Sequence, residues 1–271
     1  MRKGLSLLLV VLWSVLALGP LVWMLSTSLK HPAQIFTYPP QWLPNPITFE
    51  HYAHILERTP FPRFFFNSVV VALATTGGQL VSSILAAFAF ARLSFPGRDW
   101  LFVLFLGTLM IPDLVTYVPL FMVVRFMDLV DTYPGLVLPS LVTPFGIFLL
   151  RQAFMAAPKD LEDAAKIDGC GPWRTLWSVF LPVARPAVAT AALFAFLQSW
   201  NAYFWPLIVT QSTQMRTAPI GLRYFVRDPE LGTNWGALMA ASTLVLLPVV
   251  ALFLATQRQF IQGLLAGSTK G

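Results

Sequence analysis

The sequence predicts an all-α membrane protein with six transmembrane helices. Of the 271 residues, 56% are apolar and only 11% are charged, against about 25% charged residues in an ordinary soluble domain. Six apolar runs reach the length of about 20 residues that a helix needs to cross the hydrocarbon core of a bilayer. The two-residue alternation of membrane β-barrels is absent, and in lipid a helix satisfies all its backbone hydrogen bonds within one segment.

The six runs combine a length close to one bilayer crossing with a scarcity of charge. They are Leu5–Leu25, Phe64–Ala91, Trp100–Val124, Pro134–Met155, Ala184–Val209 and Trp235–Thr256. Arg2 and Lys3 precede the first run, as basic residues precede the apolar region of a signal peptide. However, the run is longer than such a region and no small-residue cleavage site closes it. We therefore expect it to be a retained span.

Prolines inside these runs predict kinks, because proline lacks an N–H donor and its ring clashes with the preceding turn. The prolines concerned are Pro112, Pro119, Pro139, Pro144 and Pro248. Kinks of this kind shape cavities, but they also occur in spans with no solute pathway.

The distribution of basic residues predicts that both termini are cytoplasmic. An even number of spans places both termini on one side. The N-terminus and the short loop Arg92–Asp99 carry basic residues, and such short segments weigh most in the positive-inside rule. The segment 26–63 then lies outside, where its many prolines exclude a long helix and leave short pieces such as Phe49–Arg58.

The cytoplasmic loop 156–183 predicts two short helices. In the first, Pro158 suits the first helical position, and the acidic residues Asp160 and Glu162 suit the positive end of the helix dipole. Gly169 suits the left-handed position that ends a helix. A second helix, Trp173–Leu181, begins after Gly171 and Pro172 in the same manner.

The second helix is expected to be amphipathic. Its residues Trp173, Leu176, Trp177 and Phe180 fall on one helical face, which suits the membrane interface. Two interpretations remain open on spacing alone: a loop that rests on the lipid headgroups, or a knob presented to another protein. In the second case the tip is expected to carry the small residues Ala164, Ala165 and Gly169.

Two stretches of sequence resemble a known family. Asp163–Gly169 followed by Val179–Pro182 is similar to the EAA coupling motif of binding-protein-dependent ABC importer permeases. It differs at Asp163, where the family has glutamate, and at Val179, where it has isoleucine; charge or shape is kept in both. The stretches Ser199–Asn201, Asn234–Gly236 and Gln257–Gly271 are similar to carbohydrate-importer permeases of the maltose and glycerol-phosphate type.

The resemblance implies the type I ABC importer permease fold with a cytoplasmic coupling-helix loop, in a bacterial or archaeal plasma (inner) membrane. It implies a non-catalytic permease subunit that translocates a sugar delivered by an extracytoplasmic solute-binding protein. The alternative is the same machinery importing glycerol 3-phosphate or a related polyol derivative. The implied partners are a second homologous permease, two ATPase subunits that hold ATP and Mg, the solute-binding protein and membrane lipid, but not nucleic acid. No cofactor is expected on this chain.

The resemblance also assigns roles to segments and residues. The residues expected to couple to the ATPase are Glu162, Asp163, Ala164, Ala165, Asp168, Gly169, Leu181 and Pro182. The loop Gln211–Asn234 is expected to face the binding protein, and Gly263–Gly271 to reach the ATPase dimer. The expected organisation is a first helix with a Pro-rich extracytoplasmic segment in 1–63, a permease core with five helices and loop 156–183 in 64–257, and a cytoplasmic tail in 258–271.

Polar residues within the spans are candidates for the solute path. Gln198, Asn201 and Tyr203 offer amides and an aromatic face, which suit a sugar, but amides also join helices to each other. Asp113 is a carboxylate within a span, which is a functional hypothesis by default. Gln79 lies in a stretch of small polar residues that equally suits close helix packing.

Other classes of function are disfavoured. The chain has no Gly-x-x-x-x-Gly-Lys-Ser/Thr run, so we expect no ATP binding by this chain. An ion-coupled secondary transporter is the alternative of another class, but it usually places ionisable relay residues inside the bilayer, whereas these spans carry almost no charge. His51 and His54 without a third ligand make a weak metal site, and no catalytic residues are expected.

Overall fold

The computed structural model describes the backbone of residues 2–226 and 233–268, and the side chains of residues 6–226 and 233–257. All regular structure in these residues is helical, with no strand, which confirms the predicted fold class. The helices in chain order are α1 Arg2–Ser28, α2 Glu50–Glu57, α3 Phe61–Arg92, α4 Arg98–Gly107, α5 Asp113–Phe126, α6 Tyr133–Val137, α7 Pro144–Ala156, α8 Lys159–Ile167, α9 Pro172–Thr175, α10 Leu181–Val183, α11 Arg185–Trp200, α12 Phe204–Val209, α13 Ala218–Gly221 and α14 Trp235–Ser268.

Short 3-10 turns and one π turn supplement these helices. The 3-10 turns are Pro32–Gln34, Thr108–Met110, Leu138–Ser140, Thr213–Met215 and Leu222–Phe225, and the π turn is Leu176–Phe180. Between α1 and α2 the 3-10 turn Pro32–Gln34 is the longest helical piece. This agrees with the proline content of that segment, and α2 agrees with the expected piece at Phe49–Arg58.

Three helices are long and apolar enough to cross a membrane unbroken: Ser6–Ser28, Phe61–Arg92 and Trp235–Gln257. Three further candidates are pairs of helices bent at a short break. The pairs are Arg98–Met110 with Asp113–Phe126 at 102°, Tyr133–Ser140 with Pro144–Ala156 at 45°, and Pro172–Val183 with Arg185–Trp200 at 83°. The described chain therefore offers three unbroken spans, and up to six if each bent pair is one span.

Prolines account for the breaks, but not every proline makes one. Ile111 is extended, as a residue before proline tends to be, and α5 begins directly after Pro112. Thr143 is likewise extended before Pro144, which starts α7. Pro119 and Pro248 instead lie inside the unbroken helices α5 and α14, and the kinks predicted at these two residues stay predictions.

The expected fifth span, Ala184–Val209, is not one helix. It begins at the bend before α11, stops at Trp200 and resumes as α12 after a gap. Pro206 explains the gap, because in a continuous helix its ring would press on the carbonyl of Ala202. Helix α14 is longer than the expected sixth span: its backbone stays helical through Ser268, into the predicted tail, whose residues 269–271 lie outside the described part.

The chain forms two compact units. The first comprises Met1–Asn67 with Arg216–Val250, and the second comprises Ser68–Met215 with Ala251–Gly271. In the first unit, aromatic and aliphatic side chains of α2 and α3 pack on three buried alanines of α14. The buried residues of this core are Ile55, Phe61, Phe64, Phe225, Ala237, Ala240 and Ala241. Small residues allow such close helix packing.

The second unit has two apolar cores. The first core joins α3, α7 and the π turn through three phenylalanines, Phe88, Phe154 and Phe180, whose ring centroids lie 5.6 to 6.2 Å apart. The second joins α5, α6 and α12 around the buried Trp205, whose indole N–H donates to the carbonyl oxygen of Gly135 at 3.1 Å. Loop 156–183 lies entirely in this unit.

Candidate coupling site and solute path

Helix α8 is closed at its C-terminus by its own backbone. Gly169 has a φ of +74°, a left-handed conformation that costs glycine little. Its N–H donates to the carbonyl oxygen of Lys166 at 3.0 Å, and the N–H of Cys170 donates to that of Ala165 at 2.8 Å. These two bonds form a Schellman motif, as the position of Gly169 in the sequence predicts. Pro158 lies one position earlier than expected, as the N-cap of α8.

The second half of the loop differs from the predicted amphipathic helix. Pro172 begins α9 after Gly171 as expected, but a π turn over Leu176–Phe180 follows and shifts the helical register. Leu176 and Phe180 are buried in the core, whereas Trp173 and Trp177 are 66% and 51% exposed. The four side chains therefore do not share one interfacial face.

The expected coupling residues separate into an exposed and an internal group. Asp163, Ala164, Asp168, Gly169 and Pro182 are exposed, and Leu181 is half-buried. Ala165 is only 4% exposed, so its expected position at the tip is wrong: it faces the chain's own core. The residue that the sequence analysis missed at the tip is Ile167, which is 87% exposed directly before the C-cap.

Glu162 is the second residue that points inward. Its carboxylate lies 3.4 Å from Arg92 Nη1, and the two side chains are only 15% and 11% exposed. Lys166 binds the other carboxylate oxygen of Glu162 at 2.7 Å, one helical turn further along α8. Glu162 is thus occupied within the chain. Asp163, which is 54% exposed and lies 4.0 Å from Lys166 Nζ, and the exposed Asp168 are accessible to a partner.

A small apolar cavity lies where the loop meets α3. Its volume is about 220 Å³, below the range of about 300–1,000 Å³ for drug-sized ligands. The lining residues are Leu85, Phe88, Leu93, Pro172, Trp173 and Leu176. The second half of the loop therefore leaves a gap beside α3.

The solute-path candidates at the break of the fifth span lie close together in sequence and are accessible in this chain. Gln198 and Asn201 are exposed and Tyr203 is half-buried. The Asn201 amide donates to the carbonyl oxygen of Leu197 at 2.9 Å, which leaves its side-chain oxygen available. Asp113 is exposed as the first residue of α5, where a helix N-terminus favours a carboxylate.

Gln79 differs from these candidates because it is buried. Its side chain is 4% exposed, and its amide donates to the carbonyl oxygen of Ser140 at 2.6 Å. Nearby, Gly78 lies so close to Leu141 that a side-chain Cβ would overlap it. These contacts favour the helix-packing interpretation for the small polar residues of α3.

Two further polar side chains stabilise a loop and a helix start but were not singled out by sequence analysis for this purpose. Asp131 Oδ1 accepts the backbone N–H groups of Gln211 and Ser212 at 2.9 and 3.0 Å. Burial raises the pKa of Asp131, but hydrogen bonds from the Ser212 side chain and from these two N–H groups outweigh it and lower that pKa below its ordinary value. Asn234 caps α14 by accepting the N–H of Ala237 at 3.0 Å, which explains its place in the family-like stretch Asn234–Gly236.

The histidines give no metal site. Among the residues with described structure, no group of three His, Cys, Asp or Glu side chains could hold an ion. His51 is buried against Gly236, and its Nε2 lies 2.9 Å from the carbonyl oxygen of Lys30. Burial lowers the pKa of His51, although the Lys30 carbonyl and Glu50 act in the opposite direction. His51 is thus a packing residue of the first unit.

Comparisons with known proteins agree with this architecture. The family described as “Binding-protein-dependent transport system inner membrane component” matches residues 79–265. The sn-glycerol-3-phosphate transport system permease protein UgpE of Yersinia pestis bv. Antiqua is 35% identical over 272 residues, covering 97% of each chain. The arabinooligosaccharides transport system permease protein AraQ of Halalkalibacterium halodurans is 37% identical over 229 residues, covering 84% of this chain and 81% of that one.

A solved structure is similar in fold. It is a chain in the crystal structure of a bacterial ABC transporter involved in the import of the acidic polysaccharide alginate. The TM-score is 0.87 with 22% sequence identity, and the match covers 95% of each chain. At this identity the likeness concerns the fold alone.

Proposed function

The chain belongs to the binding-protein-dependent transport system inner membrane components, and from this premise we propose that loop 156–183 couples it to a partner ATPase. The chain is the membrane permease subunit of an ABC importer. In the proposal it pairs with a second permease and contributes no catalytic residue. Two ATPase subunits hold ATP and Mg and hydrolyse the nucleotide.

The observation that carries the proposal is the form of α8. A coupling element has to transmit a displacement, so it needs a rigid body and an accessible end. The hydrogen bonds of Gly169 and Cys170 close α8, and the exposed Ile167 and Asp163 stand at and near its end. An apolar side chain beside a carboxylate suits a partner surface with a pocket and a basic rim.

The proposed orientation puts the loop and both termini in the cytoplasm. The basic residues of the N-terminus and of the short segment before α4 support it. Helix α2 and the Pro-rich segment before it then lie outside, together with the loop Gln211–Asn234, which we assign to the solute-binding protein. Residues 227–232 of that loop lie outside the described residues.

We propose a neutral saccharide as the solute, with glycerol 3-phosphate as the alternative. The exposed candidates of the path are Gln198, Asn201, Tyr203 and Asp113, which offer amides, a phenol and one carboxylate. None of them is basic, whereas a phosphorylated solute needs arginine or lysine partners. Relatives named for both kinds of solute are similarly distant, so the choice of a saccharide rests on the chemistry of the candidate path residues.

Cross-linking tests the coupling role and the orientation together. In a Cys170→Ser background, Ile167→Cys is expected to cross-link to the ATPase in the assembled complex and to react with an impermeant maleimide only in inside-out vesicles. Tyr38→Cys, which replaces a side chain that is 96% exposed in the segment assigned to the outside, is the matched control and should react only from the opposite face. Reaction of both positions from the same face would overturn the proposal.

The solute is tested with the complex in proteoliposomes and its cognate binding protein. Neutral oligosaccharides are expected to stimulate ATP hydrolysis and to be taken up, and glycerol 3-phosphate is not. Stimulation by glycerol 3-phosphate alone would establish the alternative.

A further inference from the structure

Arg92, the last residue of α3, contacts both halves of loop 156–183 and the helix that precedes it. Its Nη2 donates to the carbonyl oxygens of Phe154 and Ala157, each at 2.6 Å. Its Nη1 lies 3.4 Å from the Glu162 carboxylate, and its guanidinium lies 4.6 Å from the ring centroid of Phe180. One side chain therefore joins α3, the end of α7, α8 and the π turn.

The chemistry of these contacts suits a permanent link. Phe154 and Ala157 lie at the C-terminal end of α7, where carbonyl oxygens lack the usual partner four residues further on and the helix dipole attracts a cation; the Phe154 carbonyl also accepts the N–H of Ala157 at 3.3 Å. Guanidinium is planar and always charged, and presents several donors in a fixed geometry. Because Arg92 is only 11% exposed, water competes little for these acceptors.

The position of Glu162 on α8 connects Arg92 directly to the helix that carries the coupling motif. Glu162 precedes the motif residue Asp163 on α8, and its side chain faces Arg92 rather than solvent. A displacement of α8 is therefore opposed by an ion pair at Glu162 and by the cation–π contact at Phe180. The neighbouring rings of Phe88 and Phe154 also pack on Phe180, with centroid distances of 5.6 and 6.0 Å.

We propose that Arg92 is the positioning residue that makes α8 move together with α3 and α7 as one body during transport. This inference rests on the proposed coupling role of loop 156–183. Without Arg92, the loop keeps its fold through the bonds of Gly169 and Cys170 but moves independently of the spans. Motion of the ATPase then displaces α8 and is lost before it reaches the helices around the solute path.

Arg151 provides a matched control within the same unit. It is also an arginine near the same end of the helices, and its side chain is 13% exposed. Its Nε donates to the carbonyl oxygen of Phe90 at 3.2 Å, and its guanidinium lies 4.0 Å from the Phe102 ring centroid. Its described partners lie on α3 and α4, so it shares the chemistry of Arg92 without touching loop 156–183.

The test measures ATP hydrolysed per solute imported by the complete complex in proteoliposomes. Arg92→Ala is expected to raise this ratio at least about fivefold, the lower end of typical coupling effects. Arg92→Lys keeps the charge but cannot make the two carbonyl bonds and the ion pair together, so an intermediate ratio is expected. Arg151→Ala is expected to keep the wild-type ratio even if it lowers the yield of the complex.

A distance measurement provides a readout that does not depend on transport. Spin labels at Ile167→Cys on α8 and Val81→Cys on α3, in the Cys170→Ser background, are expected to give one narrow distance distribution in wild type and in Arg151→Ala. Arg92→Ala and Arg92→Lys are expected to broaden it. If the complex with Arg92→Ala fails to assemble, the same ratio and distance distribution are measured on Arg92→Lys and Glu162→Gln.

The outcomes distinguish this inference from the function on which it rests. If Ile167→Cys cross-links to the ATPase but the Arg92 variants keep the wild-type ratio and the narrow distribution, the positioning role is overturned and the coupling role remains. If Ile167→Cys does not cross-link to the ATPase at all, the coupling role itself fails. An increased ratio in Arg151→Ala as large as that in Arg92→Ala would also overturn the specific role of Arg92.

Discussion

The side-chain amide of Gln79 donates to the carbonyl oxygen of Ser140 at 2.6 Å, in place of a hydrogen bond that the backbone cannot make. In a continuous helix the Ser140 carbonyl would accept the N–H of residue 144, but residue 144 is proline and has none. The hydroxyl of Ser82 similarly donates to the carbonyl oxygen of Leu141 at 2.6 Å. Helix α3 thus satisfies the polar groups left open where α6 and α7 are separated, as a membrane environment requires.

Replacing Gln79 by leucine should destabilise the protein by about 1–3 kcal/mol, the cost of leaving a buried carbonyl without its partner. The measurement is thermal unfolding of the purified protein in detergent. Ser83→Ala is the control, because the Ser83 hydroxyl is 1% exposed and has no hydrogen-bond partner in the described chain. Its removal should be neutral or stabilising. Equal melting temperatures for wild type and Gln79→Leu would contradict the interpretation.

The sequence predicts these elements better than it predicts their breaks. Composition and local sequence patterns predict the helical class, the apolar runs and the left-handed conformation of Gly169. These features depend mainly on residues that are close in sequence. Pro206 explains why α11 ends at Trp200 only once α12 is known to resume the helical path. Pro119 has the same local chemistry, yet α5 continues through it unbroken. Whether proline breaks a helix depends on which groups nearby can bind the freed carbonyl, and Gln79 lies 61 residues from Ser140.

The candidate coupling site shows the same limit. The motif identifies the loop, and its spacing places Asp163 and Gly169 correctly on the exposed surface. It cannot tell that Glu162 faces inward, because this depends on Arg92, which belongs to another helix. The π turn over Leu176–Phe180 also changes which aromatic side chains are buried, and a pattern with a fixed 3.6-residue period cannot show this.

Asp131→Ala should weaken the junction between the loop after α5 and the loop after α12. The substitution removes the acceptor for two N–H groups, and it puts alanine at a φ of 61°, where aspartate and asparagine are tolerated better. We expect a loss of about 2 kcal/mol in the free energy of unfolding. Asp131→Asn keeps an acceptor and should lose less than half of this.

The pH dependence of the Asp131 contribution has a definite sign. Because the folded protein lowers the pKa of Asp131, its contribution is complete above the unfolded value of about 3.9 and is lost as the pH falls through the lower folded value. The difference in melting temperature between wild type and Asp131→Asn should therefore shrink in acid. A difference that grows below pH 4 would contradict the assignment.

His51 predicts a separate pH effect in the first unit. Burial lowers its pKa, so the folded state holds neutral imidazole, while the unfolded chain takes up a proton below about pH 6.5. The contribution of neutral His51 to the free energy of unfolding should be complete above that pH and should fall as the pH decreases toward the folded pKa. His51→Gln keeps an N–H donor for the Lys30 carbonyl and should flatten the melting temperature between pH 7.5 and 5.5. An equally steep decline in this variant would show that another group is responsible.

Gly236→Ala should severely destabilise the first unit, because a Cβ at this position would overlap the imidazole of His51. Overpacking of a buried site typically costs about 1–3 kcal/mol. The double variant Gly236→Ala with His51→Ala should recover part of the loss, since the smaller side chain leaves room. Thermal unfolding of both variants checks the prediction, and additive losses in the double variant would contradict it.

Substitutions of Gly169 separate the shape of the knob from its chemistry. No atom lies within 4 Å of a Cβ built at Gly169, so Gly169→Asn meets no clash and can adopt the left-handed conformation. This variant should keep most of the uptake.

Gly169→Pro fixes φ near −65°, far from the observed +74°, and removes the N–H that binds the Lys166 carbonyl. We expect this variant to insert into the membrane at wild-type levels. Its complex with the ATPase should still hydrolyse ATP but lose at least about tenfold in uptake, within the range of typical coupling effects. Uptake and ATP hydrolysis in proteoliposomes check this, with the amount of inserted protein as the reference. Asparagine adds a side chain at the same place, whereas proline changes mainly the backbone. Equal losses of uptake in both variants would therefore implicate contact chemistry at the tip. Wild-type uptake in Gly169→Pro would show that the shape of this turn is not part of the mechanism.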